Sequence, residues 1–369
     1  MVLIKTRRDT LLAPLLSVSG IVEKRHTLPI LSNVLLEKTR DRLTFLATDI
    51  EIQITTSTEG AEGDNDGAVT VAARKFQDIL RSLPEDAEVS LVLEDKRLQV
   101  RSGKSRFSLQ TLPAEDFPRM SLSDSANRKK LQLSQHAFRQ LLAKTQYAMA
   151  AQDVRYYLNG LLLLVEGKQL RAVTTDGHRL AYASMALEEE FEAQELILPR
   201  KTVLELNRLL TDSDDPLEIE MHTNQICFRF AHIVLVSKLI DGKFPDYQRV
   251  IPEVLKNTVL LGRAALLQAM NRAAILSNEK FRGVRLLFSP GSLKIVAANA
   301  EQEEAQEELE IDYSGDPIDI GFNVGYLLDV LNNNNSETVR WGLNDANSSA
   351  LITVPGNDDF KYVVMPMRI

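Results

Sequence analysis

Three stretches of the chain repeat one pattern, and that repeat restricts the fold more than any single motif does. Residues 158–176 read LNGLLLLVEGKQLRAVTTD, with an apolar run, a turn signal at Glu166-Gly167, a second apolar run and a polar end. This is the pattern of a β-hairpin. Residues 31–49 read LSNVLLEKTRDRLTFLATD, and residues 283–300 read GVRLLFSPGSLKIVAANA. The first two copies end in the same Thr-Asp step 127 residues apart, and the third ends about 124 further on. A chain of 369 residues divided in three leaves about 123 per unit. A unit of that size holds its own core.

The same elements recur around each hairpin. Each unit is expected to open with a helix and to carry a second one later, at 7–19 and 74–83, 135–150 and 200–210, and 263–276 and 323–331. In the first, Leu11, Leu12, Leu15, Leu16 and Val18 follow helical spacing behind Asp9 as N-cap, and Pro14 is expected to bend or shorten it. In the third, Ser134 caps a face of Phe138, Leu141, Leu142, Thr145 and Met149; in the fifth, Leu266, Leu267, Met270, Ala273 and Ala274 form the stripe. Three strands follow each second helix, as at 88–93, 97–102 and 106–112. Each unit then closes on an apolar-proline phrase: Asp116-Phe117-Pro118, Lys243-Phe244-Pro245-Asp246 and Val364-Met365-Pro366. Residues 60–67 (GAEGDNDG) read as a flexible loop, and 121–130 and 251–257 as linkers. Two similar halves per unit give six pseudo-repeats. Joined edge to edge, they make a curved antiparallel sheet with helices on one side.

Charge narrows the partners. The net charge of −8 by itself argues against a polyanion. The expected helices, however, carry 12 Lys and Arg against 4 acids, about +8, which leaves about −16 for the rest. Helices favour Lys and Arg, but Glu is as good a helix former and is nearly absent from these. A basic helix-lined surface under an acidic exterior suits a phosphate backbone contacted without reading sequence. Cys227 is the sole cysteine, so an internal disulfide is impossible and a reduced cytosolic protein is the simple reading. It lies in an alternating apolar run with Ile226, Phe228 and Phe230, as a buried thiol does. No apolar run reaches the length of a membrane span, and the N-terminal charges are misplaced for a signal peptide. The five histidines are scattered without metal-ligand spacing.

Seven phrases then carry a resemblance over essentially the whole chain: HTLPILSN (26–33), SRFSLQTLPAEDFP (105–118), QDVRYYLNG (152–160), TTDGHRL (174–180), DGKFPDY (241–247), AAILSNEKFRGVRL (273–286) and YVVMPMRI (362–369). In this order and spacing they resemble the bacterial DNA sliding clamps, the β subunits of DNA polymerase III. The resemblance implies an α+β fold of three tandem clamp domains, at 1–126, 127–256 and 257–369, each with two helices on a curved antiparallel sheet. It implies half of a closed ring: a head-to-tail homodimer around duplex DNA. Such a ring tethers the polymerase III catalytic subunit, is opened by an ATP-using clamp loader, and binds other polymerases and repair proteins through short linear peptides. The resemblance implies no catalytic residue, metal, cofactor or membrane contact, and a cytoplasmic, nucleoid-associated protein.

Site residues follow from the same resemblance. The partner-peptide pocket maps to Leu158, Thr175, Gly177, His178, Arg179, Leu180, Pro245, Arg249, Val250, Asn323, Tyr326 and Ser349, with the tail Val363, Val364, Met365, Pro366, Met367 and Arg368. A groove with apolar anchors and a few polar groups is what holds a short peptide, and methionines adapt to several. DNA contacts map to Arg25, Arg74, Gln152, Tyr156, Tyr157, Arg200, Lys201 and Lys243. The dimer seam maps to Lys75, Arg97, Lys104, Arg106, Phe107 and Leu109 of one chain against Ile275, Leu276, Glu301, Glu303 and Glu304 of the other. Read without the resemblance, residues 362–369 are a last strand and Asp176-Gly177-His178 is a turn. Two other functions fit the residues: a peptide-binding adaptor that ignores DNA, and an enzyme centred on Asp176 and His178. The second lacks a phosphate loop, a metal cluster and a nucleophile motif.

Overall fold

In a computed structural model the chain is described at residues 2–23, 28–60, 66–122 and 129–369. Arg25, most of the loop at 60–67 and residues 123–128 of the first linker lie outside the described residues. The repeat is visible in the strand ladders. In the first copy, residues 33–38 pair with 67–72 and residues 43–48 with 53–58. In the second, 160–165 pair with 194–199 and 169–175 with 180–186. In the third, 283–288 pair with 318–323 and 292–298 with 304–310. The turn signal of the second copy falls where the register changes, on both sides of Gly167 at φ 56°.

Six α-helices are found among the described residues: α1 (Arg8–Ser19), α2 (Ala73–Ser82), α3 (Gln135–Ala143), α4 (Arg200–Leu209), α5 (Arg263–Ala274) and α6 (Val324–Asn332). Contrary to expectation, each unit opens with a strand before its first helix, at Val2–Arg7, Lys129–Ser134 and Asn257–Gly262. These strands are six residues long and mixed in polarity, so their alternation is weak in the sequence. The N-cap of α1 is Arg7 in extended conformation, with no side-chain cap. Asp9 sits instead in the first turn, where a carboxylate complements the helix dipole, and pairs with Arg8 at 3.0 Å. The helix runs through Pro14 to Ser19 and buries Leu11, Leu12, Leu15 and Val18. Ser134 does cap α3, its Oγ accepting the Ala137 N–H at 3.2 Å.

α3 ends at Ala143 rather than 150. Thr145 Oγ1 donates to the Leu141 carbonyl at 3.1 Å, a side-chain bond that competes with the helix ladder, and the chain leaves in a 3-10 turn at Gln146–Ala148. With Arg7 and Lys144 outside the helices, their Lys and Arg number 10 against the same 4 acids, about +6.

The chain packs as two compact units, one of Met1–Arg139 with Leu204–Leu239, the other of Gln140–Val203 with Ile240–Ile369. The division runs through the second repeat. Its last three strands extend the sheet of the first repeat, where Ile233–Lys238 pairs with Ile52–Thr58. The result is a 12-stranded sheet. In the other unit, Arg179–Pro199 pairs with Asn357–Val364 of the third repeat within a six-stranded sheet, beside a four-stranded sheet whose edge is Glu304–Glu310. The core of that second unit centres on Trp341, with Phe322 at 6.1 Å and Phe288 at 6.3 Å between ring centres. Full burial of one such side chain contributes about 1.5–3 kcal/mol.

Candidate functional site

The site in the second unit begins with a turn. Thr175 Oγ1 donates to the Arg179 carbonyl at 2.6 Å and accepts the Gly177 N–H at 3.1 Å. Asp176 Oδ1 accepts the N–H groups of His178 (2.9 Å) and Arg179 (3.1 Å). Gly177 has φ 88°, a left-handed value that suits glycine, and an added Cβ would stand 2.9 Å from an Arg155 nitrogen. The turn exposes His178 and aims Arg179 inward.

Arg179 is the organising side chain. It is 9% exposed, and its Nε donates to Asp176 Oδ2 at 3.0 Å, Nη1 to Asp329 Oδ2 at 2.5 Å and Nη2 to the Tyr147 carbonyl at 2.6 Å. Its guanidinium lies 4.3 Å from the centre of the Tyr326 ring. Burial works against its charge, but Tyr362, Asp329 and Asp176 more than offset that and hold its pKa above the ordinary value. Burial pushes the Tyr362 hydroxyl well above the usual phenol range, and that hydroxyl donates to the Tyr326 carbonyl at 2.9 Å. Asp329 and Tyr147 belong to this network without any local sequence signal, because they meet Arg179 only through packing.

The tail lies along the same network. Leu180 and Arg179 pair with Val363 and Val364, and the Met365 N–H donates to the His178 carbonyl at 2.9 Å. The Met367 N–H donates to the Gly321 carbonyl at 2.8 Å. A Cβ on Gly321 would stand 2.5 Å from the Met367 carbonyl, so only glycine lets the tail approach. A glycine inside an otherwise regular strand was the signal that could have found this contact. Val363 and Val364 are buried, Pro366 and Met367 half-buried, and Met365 and Arg368 exposed.

The other pocket residues flank this line. Leu180 and Val363 share an apolar cluster with Phe244 and Tyr247. Pro245, Arg249 and Val250 are exposed on that same segment, where Arg249 pairs with Asp246 at 2.9 Å. Asn323 caps α6, its side chain accepting the Gly325 N–H at 2.8 Å, and Tyr326 sits one helical turn on, under Arg179. Ser349, half-buried, precedes Ala350, which pairs with Val364. Leu158 is buried in its own 3-10 turn and lies outside that cluster.

The residues assigned to DNA fall in both units. In the first, Arg74 is exposed on α2 and lines a cleft of about 370 Å³ with Arg81 and Arg208, two cations the resemblance did not supply. In the second, Tyr156 is exposed while Tyr157 packs on the Leu180–Val363 cluster; Gly242, beside exposed Lys243, approaches both tyrosines. Gln152 is exposed at φ 61°. Arg200 and Lys201 are half-buried, Arg200 donating to the Met149 carbonyl at 3.0 Å.

Several of the seam residues lie at or beside two open strand edges. Ser105–Leu112 pairs along Arg97–Ser102, but meets Gly67–Ala72 only at residues 111 and 112. The open part carries Arg106 and half-buried Phe107, next to exposed Lys104 and with Arg97 on the neighbouring strand; Leu109 is already buried. Lys75 is exposed on α2. In the second unit, edge strand Glu304–Glu310 starts at Glu304, just after exposed Glu301 and Glu303. Ile275 is 77% exposed and Leu276 half-buried.

Comparisons place these features in one family. Residues 2–121, 132–246 and 248–368 match, in order, the N-terminal, central and C-terminal domains of the DNA polymerase III beta subunit. The beta sliding clamp of Pseudomonas putida is 49% identical over 364 residues, covering 98% of this chain and 99% of that one. The beta sliding clamp of Escherichia coli is 49% identical over 362 residues, covering 98% of each. A crystal structure of the DNA polymerase sliding clamp from Pseudomonas aeruginosa with ligand aligns over 100% of both chains at a TM-score of 0.94 and 46% identity. The Caulobacter crescentus beta sliding clamp reaches the same TM-score at 38% identity, over 100% of this chain and 99% of that one.

Proposed function

The chain belongs to the bacterial β sliding clamps, the processivity subunits of DNA polymerase III, and we propose how its own residues carry out that work. Its three tandem clamp domains, bounded at 1–126, 127–256 and 257–369, form half of a ring that a second copy closes head to tail around duplex DNA. The observation that carries this reading is the pair of open strand edges, one bearing Lys104 and Arg106 beside Arg97 and one acidic at 304–310. An unpaired edge is a template for another strand, and opposite charge fixes which edge meets which. Phe107 and Leu109 then pack against Ile275 and Leu276, with Lys75, Arg97, Lys104 and Arg106 facing Glu301, Glu303 and Glu304.

Arg25, Arg74, Gln152, Tyr156, Tyr157, Arg200, Lys201 and Lys243 meet the DNA backbone without reading sequence, joined by Arg81 and Arg208. The turn at 175–180, Tyr326 and the tail hold a short peptide shared by the polymerase, the ATP-using clamp loader and other polymerases and repair proteins. The protein has no catalytic centre and no cofactor, and works in the cytoplasm on the nucleoid. No helix among the described residues is long and apolar enough to cross a membrane.

Light scattering across a dilution series tests the ring, with wild type beside Ile275→Asp. This exposed site keeps folding out of the question, whereas Leu276 is half-buried. The wild type is expected at twice 41.4 kDa and the variant at 41.4 kDa. A wild type that stays monomeric at micromolar concentration, or is lost equally from circular and linear DNA, sinks the ring.

A further inference from the structure

A cleft of about 590 Å³ in the second unit lies beside the peptide groove and is not used by it; Arg171, Tyr182, Tyr247, Ile251, Leu351 and Lys361 line it. It continues the groove on the same sheet face. Tyr182 stands directly opposite Lys361 in the strand pair where Leu180 stands opposite Val363. Two residues along a strand is about 6.7 Å. Tyr247 and Leu351 belong to both places: they pack with Leu180 and Val363 and also wall the cleft.

The lining has a definite chemistry. The Tyr182 and Tyr247 rings are 6.0 Å apart and tilted by 31°, and Lys361 Nζ lies 5.5 Å from the centre of the Tyr182 ring. Arg171 holds Glu166 at 3.1 Å and lines the cleft with the tyrosines, while Lys361 is not paired with a carboxylate in any described salt bridge. Glu253 is the one acid among the lining residues, against two cations. Aromatic walls, an aliphatic floor and a lysine held by no described salt bridge fit an apolar side chain with a carboxylate beside it.

We infer that this cleft is a second docking subsite, filled by an acidic segment with an aromatic or aliphatic side chain that flanks the anchor peptide in the same partner protein. The inference rests on the peptide-groove reading and names what lies next to the anchor. A partner seated on Leu180 and Val363 has only two residues of strand to travel before reaching Tyr182 and Lys361.

The test titrates the intact clamp with the catalytic subunit of its own polymerase at low and high salt. Gln248 sits exposed on the rim of the cleft, so its charge can be changed without touching the core. Gln248→Lys is expected to tighten binding about 3-fold and Gln248→Glu to weaken it about 3-fold, as rim charges do, with both effects shrinking at high salt. Met365→Asp, in the groove itself, is expected to weaken binding by about 10-fold or more, as loss of a central anchor does. If Met365→Asp weakens binding and neither Gln248 variant moves it, the subsite is overturned and the groove stands. If Met365→Asp has no effect, the groove reading falls and the subsite with it. A parallel titration with a single-stranded oligonucleotide covers the other source of negative charge. Gain there with Gln248→Lys, and none with the polymerase, overturns the subsite in favour of nucleic acid.

Discussion

The turns at 48–52 and 175–179 are the same object used twice. Thr48 Oγ1 donates to the Ile52 carbonyl at 2.9 Å, as Thr175 does to Arg179 at 2.6 Å. Asp49 accepts the N–H groups of Glu51 and Ile52 at 3.0 and 2.9 Å, as Asp176 accepts those of His178 and Arg179 at 2.9 and 3.1 Å. Both turns place a left-handed residue after the aspartate, Ile50 at φ 69° and Gly177 at φ 88°. The difference lies in what each turn presents. Ile52 is buried and paired with Ser237 in the sheet; Arg179 gathers Asp176, Asp329 and the Tyr147 carbonyl. The backbone device is inherited with the repeat, and the site comes from the side chains added to one copy. The pair Asp176 and His178 therefore reads as turn chemistry: Asp49 does the same work with Glu51 in the histidine's place.

The largest expected effect tests the unequal cargo of the two turns. Arg179→Met leaves two carboxylates and a carbonyl without their donor, and is expected to cost about 4 kcal/mol in urea unfolding and to abolish partner binding. Ile52→Ala is expected to cost about 3 kcal/mol as a cavity while leaving partner binding intact. Equal loss of binding in both would erase the distinction between frame and cargo.

A smaller pair of effects of opposite sign comes from the left-handed positions. Gly177→Ala is expected to lose about 1 kcal/mol, from strain at positive φ and the nearby Arg155 nitrogen; Ile50→Gly is expected to gain about 0.5 kcal/mol by releasing a β-branched residue from the same region. Destabilisation by Ile50→Gly would mean that its half-exposed side chain matters more than its backbone.

The smallest effect concerns a brace found on the second turn. Asp153 holds Arg155 at 3.0 Å, and the Arg155 guanidinium lies over Gly177. The Arg155 contacts hold the Asp153 carboxyl down at about 2. A depressed folded pKa means stability present above the unfolded value, about 3.9, and lost as pH falls through the folded one. The protection of the Gly177 and His178 amides, measured relative to their intrinsic exchange rates, is expected to hold down to about pH 3.9 and to fall between there and about 2. Asp153→Asn should remove that pH dependence. A profile unchanged in the variant would detach Asp153 from the turn.

Much of this was legible in the sequence. The copies at 31–49, 158–176 and 283–300 announced three units, and each does take the same ladder scheme. Of the stripe Leu11, Leu12, Leu15, Leu16 and Val18, all but the half-buried Leu16 are buried as the spacing required, and Ser134 caps where it stands. These features are local: alternation, helical period and capping act between residues a few positions apart. The opening strands and the end of α3 were missed because local signals there were weak or were overruled by one side chain, Thr145.

By itself, then, the sequence determined the number of units, the order of most elements, the faces they bury and, through seven phrases, the family. Only the tertiary structure decided that Arg179 meets Asp329 from 150 residues away, and that Gly321 makes room for Met367. It also divided the second repeat between two packed units. The physical reason is that turns and amphipathic faces are chosen by neighbours along the chain. A buried guanidinium, a glycine cradle and a shared sheet edge are chosen by whatever the completed packing brings within reach, and no local pattern records that choice.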